Sequence, residues 1–274
     1  MFLWACVGML CFVGTVFFYQ YFPPEEETGI TNQPIEQVSG HIPEATQLPY
    51  DAEIPTLVAK RTEQIIQHTG YTVSYNSDYR IANWVAYELT REEASSTVAE
   101  RENKFVLDPE VKGATALNQD YTRSGYDRGH LAPAGDMKWS HRAMRESFYL
   151  SNICPQKHAF NAGIWKELEE RARVWAKKHN SLYIICGPVI DGELKRLGKN
   201  RVGIPELFYK VICNPATEQA IGFLFENRAY KDSDLKKYAI PVDSVEKVTG
   251  IDFFPIFPDE VERHMEAIVE WDKW

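Results

Sequence analysis

Within four positions the chain places three side chains that can move a proton or grip an anion: Asp127, Arg128 and His130, with Gly129 permitting a tight backbone just before the histidine. An imidazole with an ordinary pKa near ~6.5 is available as a general base at physiological pH. A guanidinium keeps its charge and forks onto paired oxygens. A lone histidine in such a setting more often has a structural role, so the company it keeps decides. That company is dense: Tyr126-Asp-Arg-Gly-His-Leu-Ala-Pro-Ala-Gly-Asp136, then Leu150-Ser-Asn-Ile-Cys-Pro-Gln156, Phe160-Asn161 and Trp165-Lys-Glu-Leu-Glu169.

A helix starting near Asn161 would set Asn161, Trp165, Glu169 and Arg173 at successive i, i+4 steps as one slowly drifting stripe. Ile164, Leu168, Ala172 and Trp175 would form an adjoining apolar stripe able to pack on a sheet. A helix that only packs does not require an amide, a carboxylate and a guanidinium in one row. On spacing alone the plainer alternative stays open: a solvated face with Glu169 and Arg173 as an i, i+4 ion pair worth about 0.3 to 0.5 kcal/mol.

The elements that must position these groups are short. Tyr71–Tyr75, Trp84–Leu89, Leu182–Cys186, Phe208–Cys213 and Ala220–Phe225 are rich in β-branched and aromatic residues and are predicted as strands. Helical periodicity runs over Leu57–His68, Ala143–Leu150, Asn161–His179 and Asp259–Asp272. Strands and helices mixed without a strict alternation predict an α+β domain with a largely antiparallel sheet. Of its three cysteines, Cys186 and Cys213 both end strands and could pair if those strands are neighbours; buried free thiols are the favoured reading. Cys154 and His158 have C-x3-H spacing, but a structural zinc needs four ligands and no second pair is in sight.

That globular text covers residues 51–274. Residues 1–22 carry no charged side chain over about the ~20 residues a membrane span needs. With no basic start and no small-residue cleavage site, they are expected to be a retained membrane anchor or an uncleaved signal. Residues 23–50 hold five prolines and five glutamates with no Lys or Arg, an acidic Pro-rich linker too polar to bury a core.

The polar runs together resemble one family. Asp127-Arg-Gly-His130 with Leu-Ala-Pro-Ala behind it, Ser151-Asn-Ile-x-Pro-Gln156, Asn161 and Trp165-x-x-Leu-Glu169 resemble the DNA/RNA non-specific endonucleases, a family that includes mitochondrial endonuclease G and secreted bacterial nucleases. Arg101-Glu-Asn-Lys-Phe105, Gly187-Pro-Val, Pro205-x-x-Phe-Tyr-Lys210 and Thr249-Gly-Ile-Asp-Phe-Phe254 match further landmarks in the same order, over roughly residues 50 to 260. The resemblance implies a ββα-metal (His-Me finger) nuclease fold. It also implies His130 as general base, Asn161 as direct ligand of Mg²⁺ (or Mn²⁺), and Glu169 holding a metal-bound water. Arg128, Arg101 and Arg173 would grip phosphate, while Asn152 and Gln156 would touch substrate or orient the histidine loop. Asp127 would set that loop.

The implied activity is sugar-nonspecific cleavage of DNA and RNA to 5′-phosphate ends, with a homodimer carried by the resemblance alone. Two other readings remain: a membrane-associated nucleic-acid binder without catalysis, or a phosphodiesterase for small or lipid phosphates. The net charge of -9 argues against a polyanionic partner when taken whole. Yet residues 121–180 carry eleven Lys and Arg against six Asp and Glu, so the candidate site is locally basic. The expected location is extracytoplasmic at a membrane, secreted if the N-terminus is removed, or the mitochondrial intermembrane space in a eukaryote.

Overall fold

The computed structural model describes residues 52–274, so the expectations for residues 1–22 and 23–50 lie outside the described residues. Among the described residues no helix is long and apolar enough to cross a membrane.

Thirteen strands occur among these residues. They are β1 (Thr56–Leu57), β2 (Gln64–Gln67), β3 (Thr72–Asn76), β4 (Ile81–Thr90), β5 (Asp127–His130) and β6 (Ile153–Gln156), then β7 (Ser181–Pro188), β8 (Lys195–Leu197), β9 (Val202–Ile204), β10 (Leu207–Asn214), β11 (Gln219–Glu226), β12 (Ala239–Ile240) and β13 (Ile251–Asp252). Seven of them form one sheet in the order β12-β11-β10-β7-β4-β3-β2. Every neighbouring pair in it is antiparallel. The five predicted strands are its β3, β4, β7, β10 and β11, and the architecture is the α+β class expected.

The α-helices of four or more residues are α1 (Arg91–Ser95), α2 (Asn118–Tyr121), α3 (His141–Ser147), α4 (Lys166–His179), α5 (Val242–Thr249) and α6 (Asp259–Ala267). β10 shows why both faces of the sheet are covered: all eight of its residues are buried. Alternation sends Phe208, Lys210 and Ile212 to one face and Tyr209, Val211 and Cys213 to the other. On the first face Phe208 meets Trp165 at a centroid distance of 5.8 Å, just before α4. On the second Tyr209 meets Phe253 at 5.7 Å, beside α5 and α6.

Several expected elements are corrected. Leu57–His68 is not a helix: it holds β1, paired with β13, and the edge strand β2, paired with β3. In Gln64-Ile-Ile-Gln67 only Ile66 points inward while Ile65 is exposed, so the pair serves a pleated edge. α6 ends at Ala267 rather than Asp272. α5, ended by Gly250 at φ 64°, was not foreseen. The favoured reading of the cysteines holds: Cys154, Cys186 and Cys213 are all free and buried, and Cys186 sits opposite Lys210 rather than Cys213 in the β7–β10 ladder.

Candidate active site

β5 and β6 pair antiparallel with Asp127 opposite Gln156 and His130 opposite Ile153, and α4 follows. This strand, strand, helix unit carries most of the chemistry-bearing residues. Along β5 the pleat puts Arg128 and His130 on one face and Asp127 and Gly129 on the other.

On the first face the histidine ring is packed between aromatics. Phe105 lies 5.4 Å from it and Phe148 meets it edge-on at 4.7 Å. The same Phe105 carries the Arg128 guanidinium 5.5 Å from its centre, and Phe148 carries that of Arg101 at 5.3 Å. The Arg101-x-x-x-Phe105 segment thus folds directly onto the histidine strand. Burial, and secondarily the positive charge of Arg101, push the His130 pKa down to about 3, so the imidazole is neutral. His130 is only 8 % exposed and its Nε2 has no partner. Arg128 also spans to Tyr121 and donates through Nη2 to the Asn118 carbonyl at 2.7 Å, which holds its fork in place.

On the second face Asp127 Oδ2 accepts from Asn161 Nδ2 at 3.0 Å and contacts His158 Nδ1 at 2.9 Å. A carboxylate can only accept, so the Asn161 nitrogen must face it and the amide oxygen Oδ1 is turned away, free for another electrophile. His158, which the sequence offered only in an unsupported C-x3-H spacing with Cys154, therefore stands beside the candidate ligand. Gly129 is required by close packing, since a Cβ there would come within 1.9 Å of Gln156 Oε1.

Asn161 does not begin a regular α-helix. Residues Asn161–Trp165 form a wide π-type turn with Gly163 at φ -102° and ψ -122°, and α4 begins only at Lys166. The uniform i, i+4 stripe is corrected accordingly. Trp165 is fully buried, and its Nε1 donates to the His130 carbonyl at 3.3 Å. Farther along, Ile164, Leu168, Ala172 and Trp175 are buried as the apolar stripe required.

Glu169 is half-buried at the near end of α4. Burial pushes its carboxyl up to about 7, opposed chiefly by Lys210, while Asp136 raises it further and Arg173 and Arg101 lower it. Lys210 is completely buried, with its ammonium 4.6 Å from the Trp165 ring centre and without a hydrogen-bond acceptor. Sequence reasoning gave Lys210 no role. Its signal was a charged residue in the period-2 apolar row Phe208, Lys210, Ile212.

Three expected substrate contacts are placed differently. Arg173 Nη1 is bound to Asp136 Oδ1 at 2.7 Å, and Asp136 is fully buried and also accepts from the Tyr87 hydroxyl at 2.8 Å. The Arg173 fork is thus committed to a buried carboxylate rather than left for phosphate or paired with Glu169. Asn152 is fully buried, donating to the Ala132 and Ser147 carbonyls and accepting from Ala132 N–H, which ties the loop after His130 to the strand β6 approach. Gln156 is buried too, with both amide atoms unpartnered. Neither amide reaches a surface a substrate could touch.

The donors fit a hard divalent cation. Asn161 offers a neutral oxygen already oriented by Asp127, and Glu169 offers a carboxylate on the following helix. Such a set suits Mg²⁺, which takes few protein oxygens and keeps several waters.

Comparison with known proteins identifies relatives of this chain. The family model described as DNA/RNA non-specific endonuclease matches residues 51–260. The chain is 35 % identical over 205 residues to the zebrafish (Danio rerio) protein named nuclease EXOG, mitochondrial, covering 69 % of this chain and 60 % of that protein's length. It is 32 % identical over 211 residues to human endonuclease G, mitochondrial, covering 70 % of each. With the mitochondrial nuclease of Saccharomyces cerevisiae it shares 34 % over 214 residues, covering 69 % of this chain and 65 % of that protein. A crystal structure of an EndoG/EndoGI complex, which concerns the mechanism of EndoG inhibition, superposes with a TM-score of 0.67 at 30 % identity, over 72 % of this chain and 87 % of that one. The fold is thus that of the ββα-metal nucleases. On the strength of the matched family model and these relatives, the chain belongs to the DNA/RNA non-specific endonuclease family.

Proposed function

We propose that this protein is a metal-dependent endonuclease that hydrolyses phosphodiester bonds of DNA and RNA and leaves 5′-phosphate ends. The observation that carries the reading is the Asp127–Asn161 hydrogen bond, which frees one amide oxygen beside the strand that also carries a neutral histidine flanked by Arg101 and Arg128. His130 takes a proton from water as the water oxygen bonds to phosphorus, and the bond from phosphorus to the 3′ oxygen breaks. The guanidinium groups of Arg128 and Arg101 hold the non-bridging oxygens. Asn161 would hold Mg²⁺ or Mn²⁺ directly and Glu169 through a bound water. Such a cation stabilises charge building on the phosphate and the leaving oxygen. Groups that read the phosphate backbone carry no direct base information, which supports cleavage without sequence preference.

The test is incubation of the purified full chain with plasmid DNA and with RNA, in Mg²⁺ and in EDTA, beside His130→Ala and Asn161→Ala. Cutting of both polymers that requires Mg²⁺ and both side chains is expected. Intact substrates, or undiminished cutting by His130→Ala, would overturn the reading. The relatives' names further support a mitochondrial location, checked by fractionation of cells expressing the full chain.

A further inference from the structure

On the face of β10 away from Trp165, α5, α6 and β13 bring carboxylates together. Asp243 and Glu246 lie at i, i+3 on α5, Glu262 and Glu266 at i, i+4 on α6, and Asp252 ends β13. Like charges at these helical spacings repel. The ligand oxygens of Asp243, Glu246 and Glu266 all lie within 4.8 Å of one another. Two oxygens on opposite sides of one calcium ion, each at about 2.4 Å, stand about 4.8 Å apart, so the three can share a single ion.

Glu266 adds an independent sign. It is 4 % exposed, yet its Oε1 has no hydrogen-bond partner, and Glu262 Oε1 is buried without one as well. Glu246 Oε1 accepts the Phe253 N–H at 2.8 Å, a single neutral donor. Burial first, and then the like charges of Glu246, Glu262, Asp243 and Asp252, push the Glu266 carboxyl up to about 9. An arrangement of acids that includes buried, unpaired carboxylate oxygens lacks its counter-charge.

We infer that Asp243, Glu246 and Glu266 bind a divalent cation of the calcium class, joining α5 to α6 at a site separate from the nuclease centre. Calcium suits it better than magnesium, because it accepts several carboxylate oxygens in irregular geometry whereas Mg²⁺ retains its waters. The ion neutralises the repulsion between the two helices and so acts on stability rather than on phosphodiester cleavage.

The experiment uses the full chain carrying Asn161→Ala, which removes the proposed nuclease ligand and makes the outcome independent of the nuclease reading. Calcium binding is measured by equilibrium dialysis, and unfolding by its thermal midpoint in EDTA, CaCl₂ or MgCl₂. One calcium per chain is expected, with a midpoint rise of about 5 °C at saturating calcium. Adding Glu266→Gln should abolish both while leaving the chain folded in EDTA. Asp243→Asn provides the same loss if the glutamine variant does not fold. Absence of bound calcium in the Asn161→Ala chain, or binding that survives both substitutions, overturns the site.

Discussion

Asp127 and Asn161 are joined by a 3.0 Å hydrogen bond from the amide nitrogen to the carboxylate, across the gap between β5 and the turn that precedes α4. The bond decides which end of the amide is available. Asp127→Ala leaves Asn161 free to rotate, and about a 10- to 100-fold loss in apparent Mg²⁺ affinity or activity is expected, the usual effect of removing a residue that orients a metal ligand. A Mg²⁺ titration of DNA cleavage checks it; an unchanged half-saturating concentration and rate would count against this role.

His130→Ala should lower cleavage by about 10²- to 10⁴-fold, the range contributed by a positioned proton acceptor. Burial and Arg101 lower the ring's pKa to about 3, so protonation sets in only well below pH 5. A ring resonance assigned by comparison with His130→Ala should therefore not titrate between pH 5 and 8. A midpoint near 6.5 would contradict the enclosed environment described.

For Lys210 stability and activity are expected to move in opposite directions. Lys210→Met keeps the stem's volume and removes a buried ammonium without an acceptor, so the thermal midpoint should hold or rise. Cleavage should fall by about tenfold, equivalent to roughly 1.4 kcal/mol, because Glu169 loses its strongest positive neighbour. A fall in both quantities together would mean that Lys210 serves packing alone.

Arg173→Ala should destabilise the protein by about 3 kcal/mol, since it strands the fully buried Asp136 without its 2.7 Å partner. In an Asp136→Asn background the same substitution should cost clearly less. Urea unfolding of the four proteins closes the cycle, and equal costs in both backgrounds would show that the pair is not coupled.

In EDTA, the carboxyl of Glu266 has a folded pKa of about 9 against an ordinary value of 4.5. At this carboxyl the folded chain therefore binds more protons than the unfolded chain between those values, so the group's contribution to stability falls as pH rises from about 5 to 9. Asp243, Glu246, Asp252 and Glu262 face the same carboxyl and act in the same direction. Thermal midpoints of Asn161→Ala across that range should decline, less steeply with Glu266→Gln added, and calcium should offset the decline. A slope unaffected by the glutamine substitution would locate the effect elsewhere.

The five inner strands of the large sheet were legible because burial on both faces writes itself as runs such as Phe208–Cys213, whereas the edge strands β2 and β12, short and half exposed, were not. The short β5 and β6 were not, since Asp127-Arg-Gly-His130 has no alternation and pairs with a segment beyond α3. The helix after Asn161 was visible by its apolar stripe, but the π-type turn at Gly163 was not, because periodicity assumes even steps. The polar set containing His130, Asn161, Glu169 and Arg128 could be picked out by residue type and motif. What Arg173 and Asn152 bind could not, because Asp136 and Ala132 reach them only through tertiary contacts.

The two phenylalanines beside His130 bear on how portable this chemistry is. Phe105 precedes the strand, strand, helix unit and Phe148 sits in the insertion between its strands, yet together they set the ring's surroundings and shelve two guanidiniums. Grafting β5, β6 and α4 with a shortened connection onto a foreign scaffold would transfer the histidine and the asparagine but strip away that aromatic seat. The smallest transplantable module therefore begins at Arg101 and retains α3, even though, of the residues this adds before β5 and between β5 and β6, Arg101 alone is proposed to meet the scissile phosphate.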